Sequence, residues 1–102
     1  MKTIEWAAGL FEGEGTIVSN KDGTQFLQMS MVDEDVIKDF LKVVGVGKFY
    51  ELKAKTSTGK TIYRASVHRK ADVKYLLEQM LPYFGHRRAY KALNCLDEID
   101  NI

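Results

Sequence analysis

Cysteine and proline are nearly missing from this chain, and long apolar runs are missing altogether. Cys95 is the one cysteine in 102 residues, so no internal disulfide can form, which fits a reducing compartment. It falls in a helical pattern and reads as a small core residue rather than a reactive thiol. Pro82 is the one proline and should end or kink the helix it lies in. No apolar run approaches the ~20 residues of a membrane span, and no signal peptide opens the chain. No membrane partner is therefore expected. The expected localisation is cytoplasmic, with an organellar or phage-encoded origin compatible. There is no internal repeat, linker or low-complexity tract, and residues 1–102 are expected to form a single domain with a small core.

A large excess of charge is also missing: the net charge is +1. Its distribution is uneven. Residues 48–91 hold eleven Lys/Arg against three acids, and the remainder holds four bases against eleven acids. Such asymmetry suggests a basic surface for a polyanion, although a solvated loop and helix face would give the same count.

The stretch Trp6-Ala7-Ala8-Gly9-Leu10-Phe11-Glu12-Gly13-Glu14-Gly15-Thr16-Ile17 organises the chain. It begins as a helix, with Thr3 as N-cap and Glu5 in the first turn. Gly15 suits a left-handed C-terminal cap. Ile4, Ala8 and Phe11 share the face expected in the core. Gly9 and Gly13 lie four apart on the other side, and each costs the helix about 1 kcal/mol relative to Ala. Glu12 and Glu14 crowd the helix end where acids are disfavoured. The glycine pair lets another backbone approach closely, flanked by Trp6, and the misplaced acids want a cation.

Further along, 16–20 and 25–31 read as strands joined by a hairpin with Asp22-Gly23 as its turn signal. Leu27, Met29 and Met31 should face the core and Phe26, Gln28 and Ser30 the other side. Asp33 is placed to cap a second helix, whose stripe is Val36, Ile37, Phe40, Leu41 and Val44. Gly45-Val46-Gly47 ends it. A second hairpin spans 48–54 and 61–68, with Tyr63, Ala65 and Val67 inward and Arg64, Ser66 and His68 outward. A third helix over 69–83 carries Val73, Leu76, Leu77, Met80 and Leu81. A last helix from about 86 to 99 should bury Ala89, Leu93, Leu96 and Ile99. His68 and His86 have no spacing that suggests a metal pair or a triad.

Ala8-Gly9-Leu10-Phe11-Glu12-Gly13-Glu14-Gly15 resembles the motif of the LAGLIDADG homing endonucleases, with Ala7 in the place of the first leucine. The element order, Gly45-Val46-Gly47, and Leu81-Pro82-Tyr83-Phe84 followed by basic residues are similar to that family's patterns too. The resemblance implies an α+β fold of order αββαββαα, with a four-stranded antiparallel DNA-binding saddle and helices on one face. It implies a sequence-specific, Mg²⁺-dependent DNA endonuclease, with Mn²⁺ or Ca²⁺ able to substitute for binding. The chain has one motif and the chemistry wants two, so a homodimer is expected through Trp6, Gly9, Leu10 and Gly13. Glu14 and the Gly13 carbonyl would hold the metal. Arg87 matches the basic residue near the scissile phosphate, and Asp33 approximately matches a polar position that orders water. Val18, Asn20, Gln28, Ser30, Lys48, Tyr50, Arg64, Ser66 and Arg88 are the expected contacts to double-stranded DNA. Glu14 stands where aspartate is commoner and Arg87 where lysine is. A non-cleaving DNA-binding protein, or a maturase that binds RNA on the same fold, is the alternative. An unrelated α+β dimer that binds no nucleic acid is a third.

Ala54-Lys55-Thr56-Ser57-Thr58-Gly59-Lys60-Thr61 nearly spells a phosphate-binding loop. It has Ala54 where glycine is needed, and a strand rather than a helix should follow it. A basic hairpin loop is the expected structure.

Overall fold

The apolar alternation of the strands and the 3.6-residue stripes of the helices can be buried together only if the helices cover one side of the sheet. A computed structural model of the chain shows this arrangement and describes residues 2–53 and 59–101. The order is α1 (Ile4–Glu14), β1 (Gly15–Ser19), β2 (Gln25–Met31), α2 (Glu34–Val44), β3 (Lys48–Lys53), β4 (Thr61–Val67), α3 (Lys70–Met80), a 3-10 turn (Leu81–Tyr83) and α4 (His86–Asp100). The four strands form one antiparallel sheet in the order β1-β2-β4-β3. The expected αββαββαα order is therefore the observed one. Most of the near-match to a phosphate-binding loop falls at 54–58 and lies outside the described residues.

The helix-covered side is built from Ile17, Leu27, Met29, Ala65 and Val67 of the sheet, with Ala7, Ala8, Phe11, Ile37, Phe40, Val73, Leu76, Leu77 and Met80 above them. Phe11 is its centre. Its ring lies 6.3 Å from that of Phe40 and 6.1 Å from that of Phe84, and burying such a side chain stabilises by roughly 1.5–3 kcal/mol. The first hairpin closes as its turn signal requires. Gly23 sits at φ +91 and the Thr24 amide donates to Asp22 Oδ1 at 2.9 Å, and that amide holds the Asp22 carboxyl below its ordinary range. At the end of α2, Gly45 takes the left-handed conformation at φ +75.

Three local expectations are corrected. Gly15 is extended, at φ −86 and ψ 162, so it is no left-handed cap. It is glycine for space: a Cβ there would lie 2.4 Å from the Phe11 ring. Asp33 occupies the N-cap position of α2 but makes no capping hydrogen bond. In α4 the buried residues are Ala92 and Cys95, whereas Leu93 is 53% exposed. Small side chains let α4 lie close to β1, and Leu93 points out beside Tyr90.

Gly15→Ala is expected to destabilise the fold by about 1–3 kcal/mol, because Phe11 is held between two other rings and cannot yield. Urea unfolding of the two proteins, compared by midpoint at equal slope, checks this.

Candidate nucleic-acid interface and motif-helix end

The side of the sheet away from the helices carries its own pattern. Register sets Thr16, Gln28, Ser66 and Lys48 in one row and Ser30, Arg64 and Tyr50 in the next. Val18 and Phe26 flank this polar middle at one end, and Leu52 and Ile62 at the other. His68 stacks on Phe26 with ring centroids 5.0 Å apart. Lys48 and Tyr50 are exposed, and Val18, Gln28, Ser30 and Arg64 are half-buried. Ser66 shares this face, but at 4% exposure it is covered by its neighbours. Asn20 is exposed at the mouth of the first hairpin, where its amide donates to the Thr24 carbonyl. Of the expected DNA contacts, all but Arg88 and the hairpin-mouth Asn20 thus meet on one sheet face.

Arg88 is spent elsewhere. Its guanidinium donates to the Gly15 carbonyl at 2.6 Å and the Glu12 carbonyl at 2.9 Å. Its Nε lies 3.5 Å from Glu12 Oε2, and it stacks over the Phe11 ring at 5.5 Å. Expected as a DNA contact, Arg88 has all three nitrogens turned to the end of α1 and does not lie on the outward sheet face. The pairing of Arg88 with Glu12 has no local signature in the sequence, because 76 positions separate them. Glu12 Oε1 also accepts the Gly85 amide at 2.9 Å, so one carboxylate holds the N-terminus of α4 against the C-terminus of α1. Tyr83 adds a second tie by donating to Glu5 Oε1 at 3.1 Å, and this bond to a carboxylate holds the phenol above its ordinary pKa.

The two acids of the motif therefore differ. Glu12 has its cation within the chain. Glu14, two residues on, is exposed and makes no ion pair among the described residues. Arg88 donates to the carbonyls of Glu12 and Gly15 at the end of the helix. Beside this junction is a surface depression of about 680 Å³, lined by Glu12, Gly15, Thr16, Arg87, Arg88, Tyr90, Lys91 and Asn94. Arg87 is exposed within it, while Asp33 is exposed at the start of α2 and is not part of its wall. No cluster of three or more His, Cys, Asp or Glu is placed to hold a metal among the described residues.

The other side of α1 is bare. Gly9 and Gly13 are exposed, and a Cβ added to either would meet nothing within 4 Å. Trp6 and Leu10 beside them are half-buried.

No protein-family model and no characterised sequence matches the chain. Solved structures do. The homing endonuclease I-CvuI, crystallised with its target and Ca, superposes with a TM-score of 0.72 at 22% identity, over 95% of this chain and 65% of that one. The homing endonuclease I-TnaI gives 0.72 at 13% identity, over 97% and 72%. The LAGLIDADG homing endonuclease I-GzeII, solved with a DNA target, gives 0.74 at 16% identity, over 98% of this chain and 36% of that one. The chain thus spans just under two thirds of I-CvuI and about a third of I-GzeII. At these identities what is shared is the fold, and the fold of this chain is that of the LAGLIDADG homing endonucleases.

Proposed function

We propose that two copies of this chain form a sequence-specific, metal-dependent DNA endonuclease, with one Glu14 contributed by each copy. The observation that carries this is the contrast along α1. Glu12 is paired with Arg88 and accepts the Gly85 amide within the chain, whereas Glu14 ends the helix with no ion pair among the described residues, beside a glycine face with room for a second backbone. A helix selected only for its own stability would keep neither feature.

The donor set fits a hard divalent cation. Mg²⁺ takes oxygen ligands, few of them carboxylates, and completes its octahedron with water and phosphate. Glu14 and the Gly13 carbonyl, doubled by a second copy, would supply such ligands. A cation bound there would polarise the scissile phosphate and activate water. Arg87, exposed at the junction, can neutralise a phosphate bidentately but cannot take a proton at neutral pH. The outward sheet face would meet the duplex, with Gln28, Ser30, Tyr50 and Lys48 over the groove and apolar contacts at its ends. I-CvuI and I-GzeII, on the same fold, were solved with their targets.

The burial of Arg88 favours a second possibility, a binding protein that does not cut, because it leaves fewer basic groups at the junction. Incubation with a randomised duplex library and Mg²⁺ separates the two. Cut, enriched sequences are expected; enrichment of intact duplex alone would leave a binder, and no enrichment at low salt would remove DNA from the account.

A further inference from the structure

One end of the outward sheet face is apolar and aromatic. Val18 of β1 is paired with Phe26 of β2, and residues directly opposite each other have Cβ atoms about 4.5–5.5 Å apart. On the other side of Phe26 is His68, one residue beyond the end of β4. Its imidazole stacks on the Phe26 ring, with centroids 5.0 Å apart and planes 25° from parallel. Val18 and Phe26 are half-buried, and His68 is exposed. Phe26 is therefore held in place from both sides, by a β-branched neighbour and by a ring.

Such a cross-strand cluster helps to pair the strands. The company it keeps suggests a second use. The same face carries Gln28 in the next row, and beyond it Lys48 and Arg64, whose Nε donates to Ser30 Oγ at 2.9 Å. It carries no Asp or Glu. Glu51, the one acid within the four strands, alternates to the helix side, opposite Tyr63. The face is thus complementary to a polyanion. The major groove of a duplex, about 12 Å wide, admits paired strands, and the minor groove, about 6 Å wide, does not. An apolar side chain turned into the major groove finds one apolar group there, the C5-methyl of thymine.

We propose that Phe26, held by its stack with His68, touches the C5-methyl group of one thymine in each half of the DNA target and selects thymine at that position. This rests on the endonuclease reading above and adds a named base to it. Phe26 is the residue that meets the DNA. His68 is a positioning residue, acting through the ring it packs against.

Deoxyuridine tests this, because it lacks the methyl group and keeps every hydrogen-bonding group of thymine. Each thymine of a duplex recovered from the library is replaced in turn, and affinity is measured with Ca²⁺ so that the DNA stays intact. The wild type should bind about fourfold more weakly when the thymine at Phe26 is replaced in one half-site, the worth of one methyl-sized group taken out of water. Phe26→Ala should bind the two duplexes equally, with the salt dependence of binding unchanged because no charge is lost. Phe26→Gln should also bind them equally, and it carries the test should Phe26→Ala melt below the assay temperature. His68→Ala should reduce the preference, and His68→Tyr, which keeps a ring for stacking, should restore it. A wild type indifferent to every replacement would overturn the assignment, as would a Phe26→Ala or Phe26→Gln protein that keeps the fourfold preference. A full preference in His68→Ala would overturn the positioning role. A wild type that binds no duplex at low salt would remove the endonuclease reading, and this assignment with it.

Discussion

Glu14→Gln is expected to fold and bind DNA as the wild type does, and to lose cleavage by at least a hundredfold. The change removes one negative charge and alters the shape of the side chain very little. Glu14 is exposed and unpaired among the described residues, so nothing within the chain depends on that charge. An acid at a helix C-terminus is itself unfavourable by about 0.3–1 kcal/mol, and the variant should be no less stable than the wild type. The loss should fall on chemistry, where removing one preorganised electrostatic contact costs roughly 10²–10³ in rate. The neighbouring acid supplies the control. Glu12→Gln can still accept the Gly85 amide but leaves Arg88, whose side chain is 19% exposed, without its carboxylate. That should lower stability by about 1–3 kcal/mol. Two substitutions of the same chemistry, two residues apart, are thus expected to separate: one in cleavage assays, the other in urea. Cutting by Glu14→Gln at the wild-type rate would sink the metal-ligand assignment.

Gly13→Leu should weaken the dimer by at least tenfold while its helical signal persists. Within one copy the new side chain enters open space, since nothing lies within 4 Å of a Cβ at Gly13. Leucine also favours the helix over glycine by roughly 0.5–1 kcal/mol. A monomer should therefore tolerate or welcome the change. A dimer that crosses at Gly9 and Gly13 should not, because its backbones approach more closely than the usual ~8–10 Å between helix axes. Overpacking costs roughly 1–3 kcal/mol, and occasionally more; a two-fold axis presents the defect from both copies. Cleavage should be lost with the dimer, as the two Glu14 side chains separate. Sedimentation velocity with circular dichroism on the same samples reads both effects. A Gly13→Leu protein that dimerises as tightly as the wild type would move the interface away from α1.

Where the sequence could be read, short-range physics was in control. The Asp22-Gly23 turn, the alternation of β2, the stripe of α3 and the glycine stop after α2 all depend on residues within one element or its cap, and all appear in the structure. Where it misled, a distant partner decided. Gly15 looks like a C-terminal cap because glycine usually supplies a left-handed φ there; its lack of a Cβ is needed instead for the Phe11 ring. In α4 the largest apolar residues seem to define the buried stripe, yet close approach to β1 selects Ala92 and Cys95 and leaves Leu93 outside. Glu12 and Glu14 look alike in the sequence. Only the return of the chain at Gly85 and Arg88 assigns one to the fold and leaves the other without an ion pair among the described residues. The sheet face was legible because alternation fixes which side each strand residue takes. The aim of Arg64 was not, because it depends on the register between β2 and β4.

The most direct test of the account is the number of chains on one cleaved site. Sedimentation equilibrium of the wild type on a duplex recovered by cleavage, held intact with Ca²⁺, should give two copies per duplex, with Gly13→Leu failing to reach that mass at the same concentration. One copy per duplex, on DNA that the same preparation cuts once Mg²⁺ is added, would contradict a centre built from two Glu14 residues.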